Sequence, residues 1–146
     1  MEIPFYKKGL RFECKRCSAC CRHEPGYVFL SNKDISRLMN AFECTREYVI
    51  ETYCRIIDIN GIKRISLKEK SNYDCIFWKD GGCIVYEQRP LQCRSYPFWT
   101  PHLASMDDWN KLSNSCPGIN CGDIHSREEI EWWLARRMKE PIINLS

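Results

Sequence analysis

No apolar run in this chain approaches the ~18 residues needed to cross a bilayer, and the opening MEIPFYKKGLRFECKRC has no apolar segment of the kind that begins a secretory signal. The expectation is a soluble, cytoplasmic protein with no membrane partner. There is no internal repeat and no low-complexity stretch, which sets aside repeat arrays and disordered linkers. Walker loop, GxGxxG, HExxH and Ser-His-Asp order are all missing, so any catalysis would have to come from a bound group. Nucleic acid is not an expected partner, because the chain lacks a long basic stripe and the usual nucleic-acid motifs. Histidine is scarce: His23, His102 and His125 could each ligate a metal, but none is expected to while thiols are abundant.

Cysteine is what the sequence has in excess, with 11 in 146 residues. That density falls just under the ~8–10% that marks a secreted disulfide scaffold, the chain is longer than most such scaffolds, and the number is odd. A reducing compartment keeps thiols unpaired, and there a cysteine-dense chain is more often a metal binder. The formal charge of +3 fits the same view. Four thiolates around a divalent zinc or a 4Fe-4S core leave a site of about −2, so two such sites would bring the protein to about −1. The basic residues Lys15, Arg16, Arg22 and Arg94, which stand beside cysteines, would then offset thiolates rather than attract phosphates.

Local patterns predict the elements. After CKRCSACC and a Pro25-Gly26 turn, Ser31 caps a helix whose apolar face is Ile35, Leu38, Met39 and Phe42, and Thr45 opens a second that runs through Tyr53. Arg55 to Ile59 and Ile62 to Leu67 flank Asn60-Gly61, a strong hairpin signal. A second hairpin is expected between Cys75–Trp78 and Cys83–Tyr86, with Cys75 and Cys83 roughly opposed across Lys79-Asp80-Gly81-Gly82. Pro90 suits the first turn of a short helix carrying Cys93, ended by Pro97. Phe98 to Gly122 reads as loop, anchored by Trp99 and Trp109 and closed by a Cys116-Pro117-Gly118 turn. A final helix starts at Ser126 with Glu129, and Trp133 and Met138 on its stripe are expected in the core.

Spacing separates metal-ligand cysteines from packing ones. Cys14, Cys17 and Cys20 recur every third residue and can face one centre; Cys21 breaks the period and more easily serves a second. Cys75, Cys83, Cys93 and Cys116 follow downstream, each placed by a turn or helix end, and complete two sets of four. Cys44 and Cys54, isolated in helical segments, read as core; Cys121 is intermediate. Four thiolates suit a tetrahedral zinc or an iron-sulfur cubane. The C-x2-C-x2-C run and the remote Cys116-Pro117 favour iron-sulfur, while two sets of four suit two zincs equally well.

CKRCSACCR, CIFWKDGGCIVYEQRPLQCRSYPF and SCPG together resemble the CxxCxxCC (YkgJ-type) cysteine-cluster family of zinc- or iron-chelating domains, over about Cys14 to Gly118. The resemblance implies the same eight ligands, Cys14, Cys17, Cys20, Cys21, Cys75, Cys83, Cys93 and Cys116. It also puts Arg89 and Arg94 in a Tyr-x-x-Arg-Pro-x-x-Cys-Arg segment and Tyr96 in the aromatic-Pro that follows it. Arg94 beside Cys93 is expected to touch the bound group through thiolate sulfur, and Arg89 either to do the same or to pair with Glu87. A flagellin lysine methylase carries a similar cluster, which keeps an enzyme acting on a protein side chain among the alternatives.

The expected architecture is α+β: one small domain over residues 1–146, with short antiparallel hairpins and two or three helices around a cysteine-ligated metal centre, ending in a helix at about 126–140. The expected function is metal binding, through an iron-sulfur cluster (4Fe-4S) or Zn2+, with electron transfer as one use. The alternative is a zinc-stapled module for a protein partner, or a cluster-dependent enzyme.

Overall fold

A computed structural model describes residues 3–14 and 27–145. The expected ligands Cys17, Cys20 and Cys21, with His23, lie outside the described residues. In chain order the described elements are strand β1 (Leu10–Phe12), helices α1 (Asn32–Phe42) and α2 (Arg46–Tyr53), strands β2 (Cys54–Ile59), β3 (Ile62–Leu67), β4 (Trp78–Lys79) and β5 (Gly82–Cys83), helices α3 (Leu91–Ser95) and α4 (Met106–Lys111), strand β6 (Ile119–His125) and helix α5 (Arg127–Lys139). The fold is α+β, with antiparallel pairs β1–β6, β2–β3 and β4–β5. Five α-helices are described rather than two or three. Backbone contacts group the chain into two compact units, one of Met1–Ala19 with Ser95–Lys139, the other of Cys20–Arg94 with Glu140–Ser146.

In the unit containing Cys20–Arg94, α1 starts as its sequence dictates. The Ser31 hydroxyl accepts from the Asp34 N–H at 3.0 Å and the Asp34 carboxylate accepts from the Ser31 N–H at 2.9 Å, a capping box. Thr45 caps α2 through the Tyr48 N–H. The β2–β3 hairpin closes with Ile59 opposite Ile62, and Asn60 and Gly61 take the positive φ values of 52° and 83° that this two-residue turn requires. Leu30, Ile35, Leu38, Val49, Ile65, Leu67, Phe77 and Val85 form the core of this unit. Residues 27–31 run along β3, with Leu67 donating to Val28 and Leu30 to Ile65.

Asp34 does more than cap its own helix. It is 1% exposed, and its Oδ1 accepts both the Leu91 N–H at 2.9 Å and Arg37 Nη1 at 2.7 Å. Arg37 also reaches Glu140 at 2.9 Å, and the Ser31 hydroxyl donates to the same Glu140 oxygen. One half-buried guanidinium thus serves two buried carboxylates, and the network fixes the start of α3 and Glu140 onto α1.

The other unit has its own core of Phe98, Leu103, Trp109, Cys116, Ile119 and Ile130. Phe98 stacks flat on Trp109, with centroids 5.9 Å apart. Here the structure corrects two expectations. The stretch 98–122 is not simple loop: Ser105 caps α4 by accepting from the Asp108 N–H, and β6 begins at Ile119. That Ser-x-x-Asp signal opens a helix of only 6 residues, too short to show an apolar period. Met138 is 83% exposed, because α5 turns only Ile130, Trp133 and Leu134 toward its core and Met138 lies on the outer side.

Replacing Asp34 by Ala is expected to lower the unfolding free energy by about 3 kcal/mol, since two backbone donors and a guanidinium lose their acceptor. Urea unfolding measures this, and a change below about 1 kcal/mol would contradict the network.

Candidate metal centre

Each unit places some of the predicted cysteines. In the unit of Met1–Ala19 and Ser95–Lys139, strands β1 and β6 pair Leu10 with His125 and Arg11 with Ile124, but the next residue, Phe12, pairs with Ile119. Residues 120–123 therefore bulge out of the ladder, and Cys121 rides on them. The bulge is held by Arg11 Nε donating to the Gly122 carbonyl at 2.8 Å and by Trp109 Nε1 donating to Asn120 Oδ1 at 2.9 Å. Asn120 and Gly122 both have positive φ, 65° and 77°.

Two glycines let Glu13 lie against this turn. The Glu13 N–H donates to the Gly118 carbonyl at 3.1 Å, and a Cβ on Gly118 would collide with the Glu13 backbone carbonyl oxygen. A Cβ on Gly122 would lie 2.5 Å from Glu13 Cβ. The chain entering Cys14 is thereby set beside the Cys116-Pro117-Gly118 turn. Cys14 is exposed, whereas Cys116 is buried among the aromatic residues of the core and donates its N–H to Leu112. Cys121 is half-buried, with its sulfur 3.5 Å from the Pro117 carbonyl.

In the other unit Cys75, Cys83 and Cys93 are half-buried, the first two against the core. The expected opposition of Cys75 and Cys83 is corrected. Asp80 and Gly81, with φ of 50° and 88°, form a two-residue turn, so Lys79 pairs with Gly82 and Trp78 with Cys83. Cys75 instead bridges Glu69, and its carbonyl accepts from the Trp78 N–H at 2.9 Å. The ladder ends because Tyr86 enters a 3-10 turn. Cys93 stands in α3, where its N–H donates to the Pro90 carbonyl, with Arg94 half-buried after it.

Arg89 does not make the expected pair with Glu87: its Nε donates to the Tyr86 carbonyl at 2.9 Å and its guanidinium lies 3.9 Å from the Tyr86 ring centre. His102 stacks on Trp99 with Nδ1 3.0 Å from the Pro97 carbonyl, which can only accept, so Nδ1 donates. Both ring nitrogens of His125 are engaged, by Glu129 at 2.6 Å and the Phe12 carbonyl at 2.9 Å. Cys54 is core, as its isolation in sequence predicts, and burial pushes its thiol up to about 11. Among the described residues no group of three or more His, Cys, Asp and Glu could hold a metal. The donor chemistry nevertheless fits zinc or iron, since the exposed and half-buried cysteines offer soft thiolate sulfur.

A family model described as "Putative zinc- or iron-chelating domain" matches residues 13–117, more than two thirds of the chain. The chain belongs to the CxxCxxCC family. Two relatives of this CxxCxxCC chain come from Methanocaldococcus jannaschii. The uncharacterized protein MJ0661 is 26% identical over 102 residues, covering 67% of this chain and 50% of its own length. The uncharacterized protein MJ0939 is 26% identical over 136 residues, covering 86% of this chain and 42% of its own. The chain thus spans half or less of the length of these curated relatives. No solved structure matches it. No helix among the described residues is long and apolar enough to cross a membrane.

Gly118 is named by the Cys-Pro-Gly turn, but sequence reasoning missed that it and Gly122 make room for Glu13; the signal was their closeness to cysteine. Gly118→Ala is expected to cost about 1–3 kcal/mol by overpacking, while Gly82→Ala, with open space and ordinary φ, stays near neutral. Thermal melts of the two variants make the comparison. A second expectation follows from Cys54. Because its folded-state value lies above the ordinary 9.0, the folded chain keeps a proton that the unfolded chain has released between about 9 and about 11. Stability should therefore be complete below that window and fall as pH rises through it, with a shallower fall in Cys54→Ala.

Proposed function

We propose that this chain is a metal-binding domain whose metal ligands are Cys14, Cys17, Cys20, Cys21, Cys75, Cys83, Cys93 and Cys116, with Arg94 donating to thiolate sulfur beside Cys93. The observation that carries the proposal is the family match over residues 13–117, which spans all eight of these cysteines. The whole chain, 1–146, is read as one such domain, working in a reducing compartment such as the cytoplasm, where the thiols stay available. Three of these proposed ligands, Cys17, Cys20 and Cys21, lie outside the described residues.

An iron-sulfur cluster is the preferred occupant, on the C-x2-C-x2-C run and the remote Cys-Pro. When bound, such a cluster supplies one-electron redox chemistry, and electron transfer is the proposed use. The protein's part is to seat the thiolates and balance their charge. Arg94 suits the balancing, since a guanidinium beside a thiolate stabilises negative charge and raises a cluster's potential. The separate apolar cores argue against the alternative in which zinc only staples the chain, because each unit already buries side chains of its own.

Anaerobic purification with absorption spectroscopy and metal analysis tests this reading. A brown protein with a broad band near roughly 400 nm and matching iron and sulfide is expected. A colourless protein with one or two zincs overturns the cluster, and a metal-free protein after reconstitution overturns metal binding altogether. Cys93→Ser should lose metal, whereas Cys44→Ser should keep it; equal contents would remove Cys93 from the ligand set.

A further inference from the structure

Resting on that reading, we propose that Gln92 is a positioning residue of the metal centre: its side chain fastens the backbone that follows the cysteine run directly to the helix that carries Cys93. Gln92 Nε2 donates to the Tyr27 carbonyl at 2.7 Å, and Gln92 Oε1 accepts from the Phe29 N–H at 3.0 Å. The two contacts fix the amide orientation, since a carbonyl must receive and an N–H must give. A carbonyl at one residue and an N–H two residues on are the groups that a strand presents along one edge. The opposite edge is taken by β3, through Val28 and Leu30. The Gln92 amide therefore stands where the next strand would be.

This grip sits at a telling place in the chain. Tyr27 is the sixth residue after Cys21, and Gln92 is the residue before Cys93. Cysteines far apart in sequence share a centre at the entropic cost of closing the long loop between them, and a link between residues 27–29 and 92 closes all but a few residues of it beforehand. Nor is α3 free to swing as the link pulls: the Leu91 N–H is held by buried Asp34, and the Cys93 and Arg94 N–H groups donate back to the Pro90 carbonyl. Leu91 and Gln92 thus hold the helix from two sides immediately before Cys93. The glutamine makes no demand of the metal itself; it holds backbone, and backbone places sulfur.

The test uses the full chain, reduced and metal-free, titrated with Co2+ and followed by its thiolate charge-transfer absorption, with Zn2+ back-competition. Wild type, Gln92→Ala, Gln92→Glu and the exposed control Gln88→Ala are compared at a temperature well below their apo melting points. Gln92→Ala should bind about 10- to 100-fold more weakly, the range found when a ligand's supporting partner is lost, with an apo melting point within a few degrees of wild type. Gln92→Glu cannot donate to Tyr27 and should also bind weakly, while Gln88→Ala should match wild type. If wild type binds Co2+ and both Gln92 variants bind it with equal affinity and the same spectrum, the positioning role is wrong and the metal reading stands. Weaker binding that tracks only a lowered melting point also overturns it, in favour of a purely structural role. A wild-type chain that takes up neither Co2+ nor Zn2+ removes the metal reading, and this inference with it.

Discussion

Sinking the Asp34 carboxylate into the unit of Cys20–Arg94 is the constraint on which that unit's assembly depends. A carboxylate taken out of water costs several kcal/mol unless donors of good geometry replace the water. Asp34 finds three, from Ser31, Leu91 and Arg37. The Ser31 donor opens α1, the Leu91 donor starts α3, and the Arg37 guanidinium is shared with Glu140. The bonds are directional, so the three segments can meet in one arrangement only, whereas apolar packing tolerates several. Cys93 inherits its position from that arrangement, two residues beyond Leu91.

Features written in neighbouring residues could be read from sequence. The Ser31 and Thr45 caps, the Asn60-Gly61 turn and the start of α5 each need only a few adjacent side chains, and the structure has them where the sequence puts them. The second hairpin shows the limit. Lys79-Asp80-Gly81-Gly82 announces a turn, but whether two or four residues make it is settled by which residues can adopt positive φ, and Asp80-Gly81 suffices. Either length sets Trp78 opposite Cys83; what the turn does not show is that Cys75 leaves the ladder to bridge Glu69. Likewise β6 could not be seen, since its pairing with β1 is broken by the four-residue bulge and its sequence never alternates cleanly.

The cysteines divide in the same way. Spacing alone set Cys44 and Cys54 apart as packing residues, and Cys54 lies in the core. What spacing could not supply is the scaffolding: Gly118 and Gly122 making room for Glu13, and Gln92 reaching Tyr27 and Phe29. These contacts join residues far apart in sequence, and no local pattern encodes them. Arg89 teaches the complementary lesson. A charged residue in a conspicuous segment invited a charge partner, yet its guanidinium lies on Tyr86, three residues before it.

The buried Cys54 has a practical use that follows from its surroundings. A thiol with so little thiolate, enclosed by aliphatic and aromatic side chains, cannot meet an alkylating reagent until the core around it opens. Its labelling rate is therefore a clock for the opening of that one unit, read by mass at a single peptide. One natural side chain thus makes the breathing of one half of the molecule measurable without any introduced probe.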